Sequence, residues 1–79
     1  MVEFAVELYV SRADTTAVRR SVERARTVAE GTNVRYLRSI FMPEDETCFL
    51  FFEASSAAAV AEVADRAGLC ARVVEAAAW

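Results

Sequence analysis

Between Val2 and Val10 the chain alternates without a break: Val2, Phe4, Val6, Leu8 and Val10 are apolar, with Glu3, Ala5, Glu7 and Tyr9 between them. A period of two belongs to an extended strand whose two sides meet different surroundings. One side has to lie against a dry layer. This first strand therefore predicts a layered fold in which a sheet buries one face and turns the other outward.

The rest of the chain supplies the second layer. Asp14 or Thr15 can cap a helix, and Val18, Val22, Ala25 and Ala29 then recur at helical spacing as far as Gly31. On the other side of that helix Arg19 precedes Glu23, and Arg26 precedes Glu30, by one turn, which predicts two exposed ion pairs. Gly31 is expected to end the helix in a left-handed conformation, where a Cβ would be strained. Val34 to Met42 and Thr47 to Ala54 are rich in β-branched and aromatic residues, and Pro43-Glu44-Asp45-Glu46 forms the turn between them. Ser55 or Ser56 caps a second helix that runs to Ala67, with Val60, Val63, Ala64 and Ala67 inward, and Gly68-Leu69 reads as a helix stop with a hydrophobic latch. Arg72 to Ala78 gives a short last strand.

The order βαββαβ, two β-α-β units linked by a hairpin, is the split-βαβ or ferredoxin-like arrangement, an α+β fold with a four-stranded antiparallel sheet and two helices on one face. No linker divides it, so residues 1–79 are read as a single domain. A chain of 79 residues has room for one core only, and burial against a partner would add to its stability.

Charge narrows the partners. The net charge is -3 and every basic residue is arginine, which gives no basic footprint for a phosphate backbone, so nucleic acid is not an expected partner. The longest tight apolar run, Phe49-Leu50-Phe51-Phe52, is far short of the ~20 residues of a membrane span. With neither a basic leader nor an apolar h-region ahead of the first strand, and with Cys48 and Cys70 outside any C-x-x-C pattern, a cytoplasmic protein with free thiols is expected.

Alternation also sorts the sheet faces. Val2, Phe4, Val6 and Leu8 go under the helices, so Glu3, Glu7 and Tyr9 face away. Glu53 is the residue of its strand least suited to a core, and it takes Thr47, Phe49 and Phe51 outward with it. Arg38 does the same for Tyr36, Ile40 and Met42, leaving Leu37, Ser39 and Phe41 inward. The outer face then carries Tyr9, Tyr36, Ile40, Met42, Phe49 and Phe51 around Glu7, Arg38 and Glu53. Contiguous apolar surface beyond a few hundred Å² marks an interface or a ligand site, which predicts a homodimer through the open sheet face.

Charged groups among aromatics need partners. Glu7, Arg38 and Glu53 are either a structural Arg–Glu arrangement or a binding site, in which Arg38 holds an anionic or carbonyl group, Tyr9, Tyr36, Phe49 and Phe51 clasp a flat hydrophobic or cyclic ligand, and Glu7 or Glu53 moves a proton. Histidine is absent, so acid–base chemistry would run on carboxylate, tyrosine or thiol. Cys48 is read as core packing, the acidic turn Glu44-Asp45-Glu46 as a solvated loop, and Cys70 as a residue just past the helix stop. Trp79 is either a frayed end or a dimer anchor.

Val34-Arg35-Tyr36-Leu37-Arg38-Ser39, then Thr47-Cys48-Phe49-Leu50-Phe51-Phe52-Glu53-Ala54, then Ala64-Asp65-Arg66-Ala67-Gly68-Leu69, with the opening Glu3-Phe4-Ala5-Val6-Glu7, resemble a bacterial family of small domains, mostly of unknown function, whose named members are nickel-binding proteins. The resemblance implies a ferredoxin-like fold, a homodimer and nickel as a cofactor. Nickel at neutral pH favours imidazole, and with no histidine present no metal ligand carries over. Cys70 also stands where such sequences usually have proline. More distantly the fold resembles the dimeric α+β barrels, which include isomerases, cyclases and monooxygenases of hydrophobic cyclic compounds. The function expected first is therefore a homodimeric small-molecule-binding domain, with a carboxylate-driven isomerase or cyclase and a nickel-binding protein as alternatives.

Overall fold

The computed structural model describes residues 1–69 and 71–76. Its elements are β1 (Val2–Tyr9), α1 (Thr15–Glu30), β2 (Arg35–Met42), a 3-10 turn (Pro43–Asp45), β3 (Thr47–Ala54), α2 (Ala57–Arg66) and β4 (Ala71–Glu75), in the expected βαββαβ order. The strands form one antiparallel sheet in the order β2-β3-β1-β4. At Cα level the molecule measures 34 × 30 × 17 Å. Its thinnest dimension holds one helical layer on one sheet layer, which leaves the far side of the sheet open.

The core lies between those layers. Phe52, Leu50, Val6, Val60, Val63 and Cys48 are its largest fully buried side chains. Strand β3 alternates between buried and half-buried along its whole length, with Cys48, Leu50, Phe52 and Ala54 inside, as expected. Helix α1 contributes Ala25 and Ala29, with Val18 and Val22 packed partly against the same cluster. These small side chains let the helix lie close to the sheet.

Capping fixes where the helices start. Asp14 Oδ1 accepts from the Ala17 N–H at 3.1 Å, and Ser56 Oγ accepts from the Ala59 N–H at 3.2 Å. Each satisfies a backbone donor that the first turn leaves open, worth about 1 kcal/mol. Helix α2 ends as expected: Gly68 is left-handed (φ 75°), its N–H donates to the Asp65 carbonyl, the Leu69 N–H donates to the Ala64 carbonyl, and Leu69 packs on the core.

Helix α1 ends differently. Gly31 has φ -88°, so it is not left-handed. Thr32 does the work instead: its hydroxyl donates to the Ala29 carbonyl at 2.8 Å and accepts from the Val34 N–H at 3.0 Å. The exposed ion pairs expected along α1 also give way to others. Arg20 reaches back to Asp14 at 3.8 Å, and Arg26 lies 5.4 Å from the centre of the Tyr36 ring.

Strand β2 carries the main departure. Tyr36 pairs with Phe52 and Arg38 with Phe51, so Leu37 is an extra residue in a bulge. From Arg38 onward the expected faces hold. Before the bulge they are exchanged: Tyr36 turns to the helical side, where it meets Phe52 edge to face at 5.8 Å, and Arg35 turns outward opposite Glu53. Leu37, expected inside, is half-buried and stands apart from the core cluster.

Candidate functional site

The open face of the sheet consists of four rungs. Arg35 and Glu3 flank Glu53; Arg38, Phe51, Ala5 and Val74 form the second rung; Ile40, Phe49, Glu7 and Arg72 the third; Met42, Thr47 and Tyr9 the fourth. Phe49 and Phe51 are half-buried at the centre, their rings 6.3 Å apart and tilted by 32°. Around them Tyr9 (70%), Ile40 (46%), Met42 (37%) and Val74 (36%) remain exposed. The expected aromatic surface is present, with Tyr36 removed from it to the other side of the sheet.

The charges are sorted into pairs. Arg38 Nη2 donates to Glu3 Oε2 at 2.8 Å, and its guanidinium carbon lies 4.3 Å from the centre of the Phe51 ring. To do so it stretches from β2 across β3 to β1. Arg72 approaches Glu7 at 3.1 Å, and Arg35 approaches Glu53 at 3.9 Å. Glu7, Arg38 and Glu53 therefore stand on one face without converging on a point, each with its own partner. Such solvent-facing pairs contribute about 0.2–1 kcal/mol apiece, and the arginine–ring contact about 0.5–1 kcal/mol. They shape the surface more than they stabilise it.

Glu3, Arg35, Arg72 and Val74 belong to this face although the aromatic pattern did not single them out. Alternation had already turned Glu3 outward with Glu7, without giving it a role; Arg72 and Val74 alternate with the inward Val73, so a stricter use of alternation would have found them as well. Arg35 faces outward only because of the bulge.

At one corner the hairpin turn is tied to the first strand. Glu46 is left-handed (φ 49°), a conformation that costs a non-glycine residue roughly 1 kcal/mol or more. Its carboxylate Oε2 accepts from the Arg12 N–H at 3.1 Å and from the Tyr9 hydroxyl at 3.3 Å, while its carbonyl accepts from the Val10 N–H at 3.0 Å. Tyr9 is thus oriented by the acidic turn, and at least one acid of that turn has a structural task.

Among the titratable groups of the described residues, Cys48 is the one with a clear displacement: burial between sheet and helices pushes its thiol up from the ordinary 9.0, away from the thiolate form that binds metals and attacks carbon. Cys70 and Trp79 lie outside the described residues. No group of three or more His, Cys, Asp or Glu among the described residues is placed to hold a metal ion. Among the same residues no helix is long and apolar enough to cross a membrane.

Two helices on one face of a β2-β3-β1-β4 sheet, with the other face apolar and set with ion pairs, define a ferredoxin-like α+β domain. The chain matches the family described as nickel responsive protein SCO4226-like over residues 4–76, and it belongs to that family. Among solved structures it is similar to the crystal structure of SCO4226 from Streptomyces coelicolor A3(2), with a TM-score of 0.83 over 98% of each chain at 22% identity, a likeness of fold. No curated protein matches it.

Proposed function

We propose that the chain is a homodimeric small-molecule-binding domain in which the open sheet face serves both as the contact between two copies and as the platform for a flat hydrophobic ligand. The observation that carries this reading is the exposure of Tyr9, Ile40, Met42 and Val74 around Phe49 and Phe51 on a face that no second layer covers. A second copy is the fitting cover because the face is balanced in charge. It holds three arginines, Arg35, Arg38 and Arg72, and three glutamates, Glu3, Glu7 and Glu53, so a two-fold pairing meets no net repulsion. Size agrees too. Strands about 4.8 Å apart, with a rise of about 3.3 Å per residue, give a face on the order of 500 Å² per protomer, so a pair would bury about 1,000 Å², the lower edge of specific interfaces.

Binding is favoured over proton transfer within this site. Glu7 and Glu53 sit on different rungs beside different arginines, so the isomerase or cyclase reading has no pair of free carboxylates to build on. The family description raises nickel, and the residues present do not fit it. The chain has no imidazole, Cys48 is a buried thiol, and the described carboxylates are dispersed or tied to arginine.

Light scattering on a size-exclusion column at tens of micromolar tests the proposal. The expected mass is twice the 8.7 kDa of one chain, and a monomer would overturn the face-to-face assembly.

A further inference from the structure

Arg38 is held by an interaction that resembles what a ligand would offer. Its guanidinium carbon sits 4.3 Å from the centre of the Phe51 ring, and its contact with Glu3 is carried by one nitrogen at 2.8 Å. A guanidinium has five donors in a planar fork, and a carboxylate in the plane of that fork takes two of them at once. The Glu3 contact leaves most of this capacity unused. In the single chain both partners are partly open to solvent, with side-chain exposures of 53% for Arg38 and 34% for Glu3, so another anion can reach the pair.

The surroundings suit a ring. Ala5 stands beside Phe51 on the neighbouring strand and, although it faces the open side, is only 6% exposed, so this part of the face is roofed by neighbouring side chains. Arg38 crosses from β2 toward β1 here, over Phe51 to Glu3. Beside it stand the rings of Phe49 and Phe51, 6.3 Å apart and tilted by 32°.

On the platform reading above, we infer that the ligand class is a flat aromatic carboxylate, and that Glu3 is its internal stand-in. The ligand carboxylate replaces that of Glu3 on the Arg38 fork, and its ring lies against Phe49 and Phe51. Glu3 sets the threshold, since a ligand has to displace it.

Calorimetric titration with 1-naphthoate and with its neutral counterpart 1-naphthylmethanol tests this. The wild-type protein is expected to bind the carboxylate at least about fivefold more tightly than the alcohol. Glu3→Gln, which removes the internal competitor, is expected to tighten naphthoate binding by up to about fivefold while leaving the alcohol unchanged. Arg38→Met is expected to abolish the preference. Equal affinity for the two compounds, or weaker naphthoate binding in Glu3→Gln, would overturn the carboxylate assignment and leave the platform standing. Failure of both compounds to bind would overturn the platform itself.

Discussion

Ile40 offers a sharp test of the proposed assembly. It faces outward opposite Phe49 and keeps 46% of its surface exposed in the single chain. Full burial of such a side chain is worth roughly 1.5–3 kcal/mol, so covering the exposed half contributes about 1 kcal/mol. A two-fold contact counts each residue twice, giving about 2 kcal/mol, or about a 30-fold rise in dimer Kd for Ile40→Ala. Ile40→Glu would in addition place two uncompensated carboxylates in the contact and raise Kd by a further order of magnitude or more. Neither change touches the core, so the stability of the single fold should move by no more than about 0.5 kcal/mol. Sedimentation equilibrium over a dilution series reads Kd directly. Urea unfolding at two protein concentrations gives an independent reading, because the midpoint of a dimer depends on concentration and that of a monomer does not. Ile40→Glu with wild-type Kd and a wild-type concentration dependence would refute the sheet face as the interface.

The two glycines should respond oppositely to alanine. Gly68→Ala has room for a Cβ, since the nearest atom is 4.0 Å away, but its φ of 75° is strained for alanine; a loss of about 1 kcal/mol should lower the urea midpoint with little change in slope. Gly31→Ala, at φ -88° with the nearest atom 3.9 Å away, should be neutral or stabilise by up to about 1 kcal/mol. Cys48 should make stability depend on pH in the alkaline range. Its folded thiol is held above its unfolded value, so the unfolded chain loses the proton first, and stability falls as pH rises past about 9. Urea unfolding at pH 8 and pH 10 should show a steeper decline for the wild type than for Cys48→Ala, and equal declines would remove the effect. Nickel titrated into untagged protein should give no saturable heat below millimolar concentration, and a stoichiometric isotherm would restore a metal role.

Much of the architecture was legible because it rests on local chemistry. Alternation in Val2–Val10 identifies one strand and its faces, and the β-branched and aromatic run Thr47–Ala54, sorted by Glu53, a second. Asp14, Ser56 and the Gly68-Leu69 pair mark helix ends through backbone donors and acceptors that have to be met. Leu37 shows where this logic stops. In a period-two pattern Tyr36 and Arg38 look like companions, and one inserted residue between them sends Tyr36 to the core and Arg35 outward without altering composition or spacing. The site suffered the same blindness. Its aromatic centre could be read from β3 alone, but the partners of the charges depend on strand order, and nothing local tells Arg38 to pass over Phe51 and choose Glu3. At Gly31 the error had another origin: Thr32 meets the open carbonyl at the end of the helix, so the glycine is spared its usual left-handed role.

The bulge at Leu37 also bears on what the border of the sheet offers to another chain. Strand β2 borders the sheet, and one of its long sides presents backbone donors and acceptors that a stray strand from another molecule could extend. An eight-residue border with even pleating would be a template for open-ended polymerisation. The extra residue breaks the spacing of those groups near the start of the strand, so an incoming chain cannot match it over its full length. Association through the broad face closes after two copies, whereas association through the border need not close at all. One extra residue thus makes this border of the sheet a poorer template for open-ended growth.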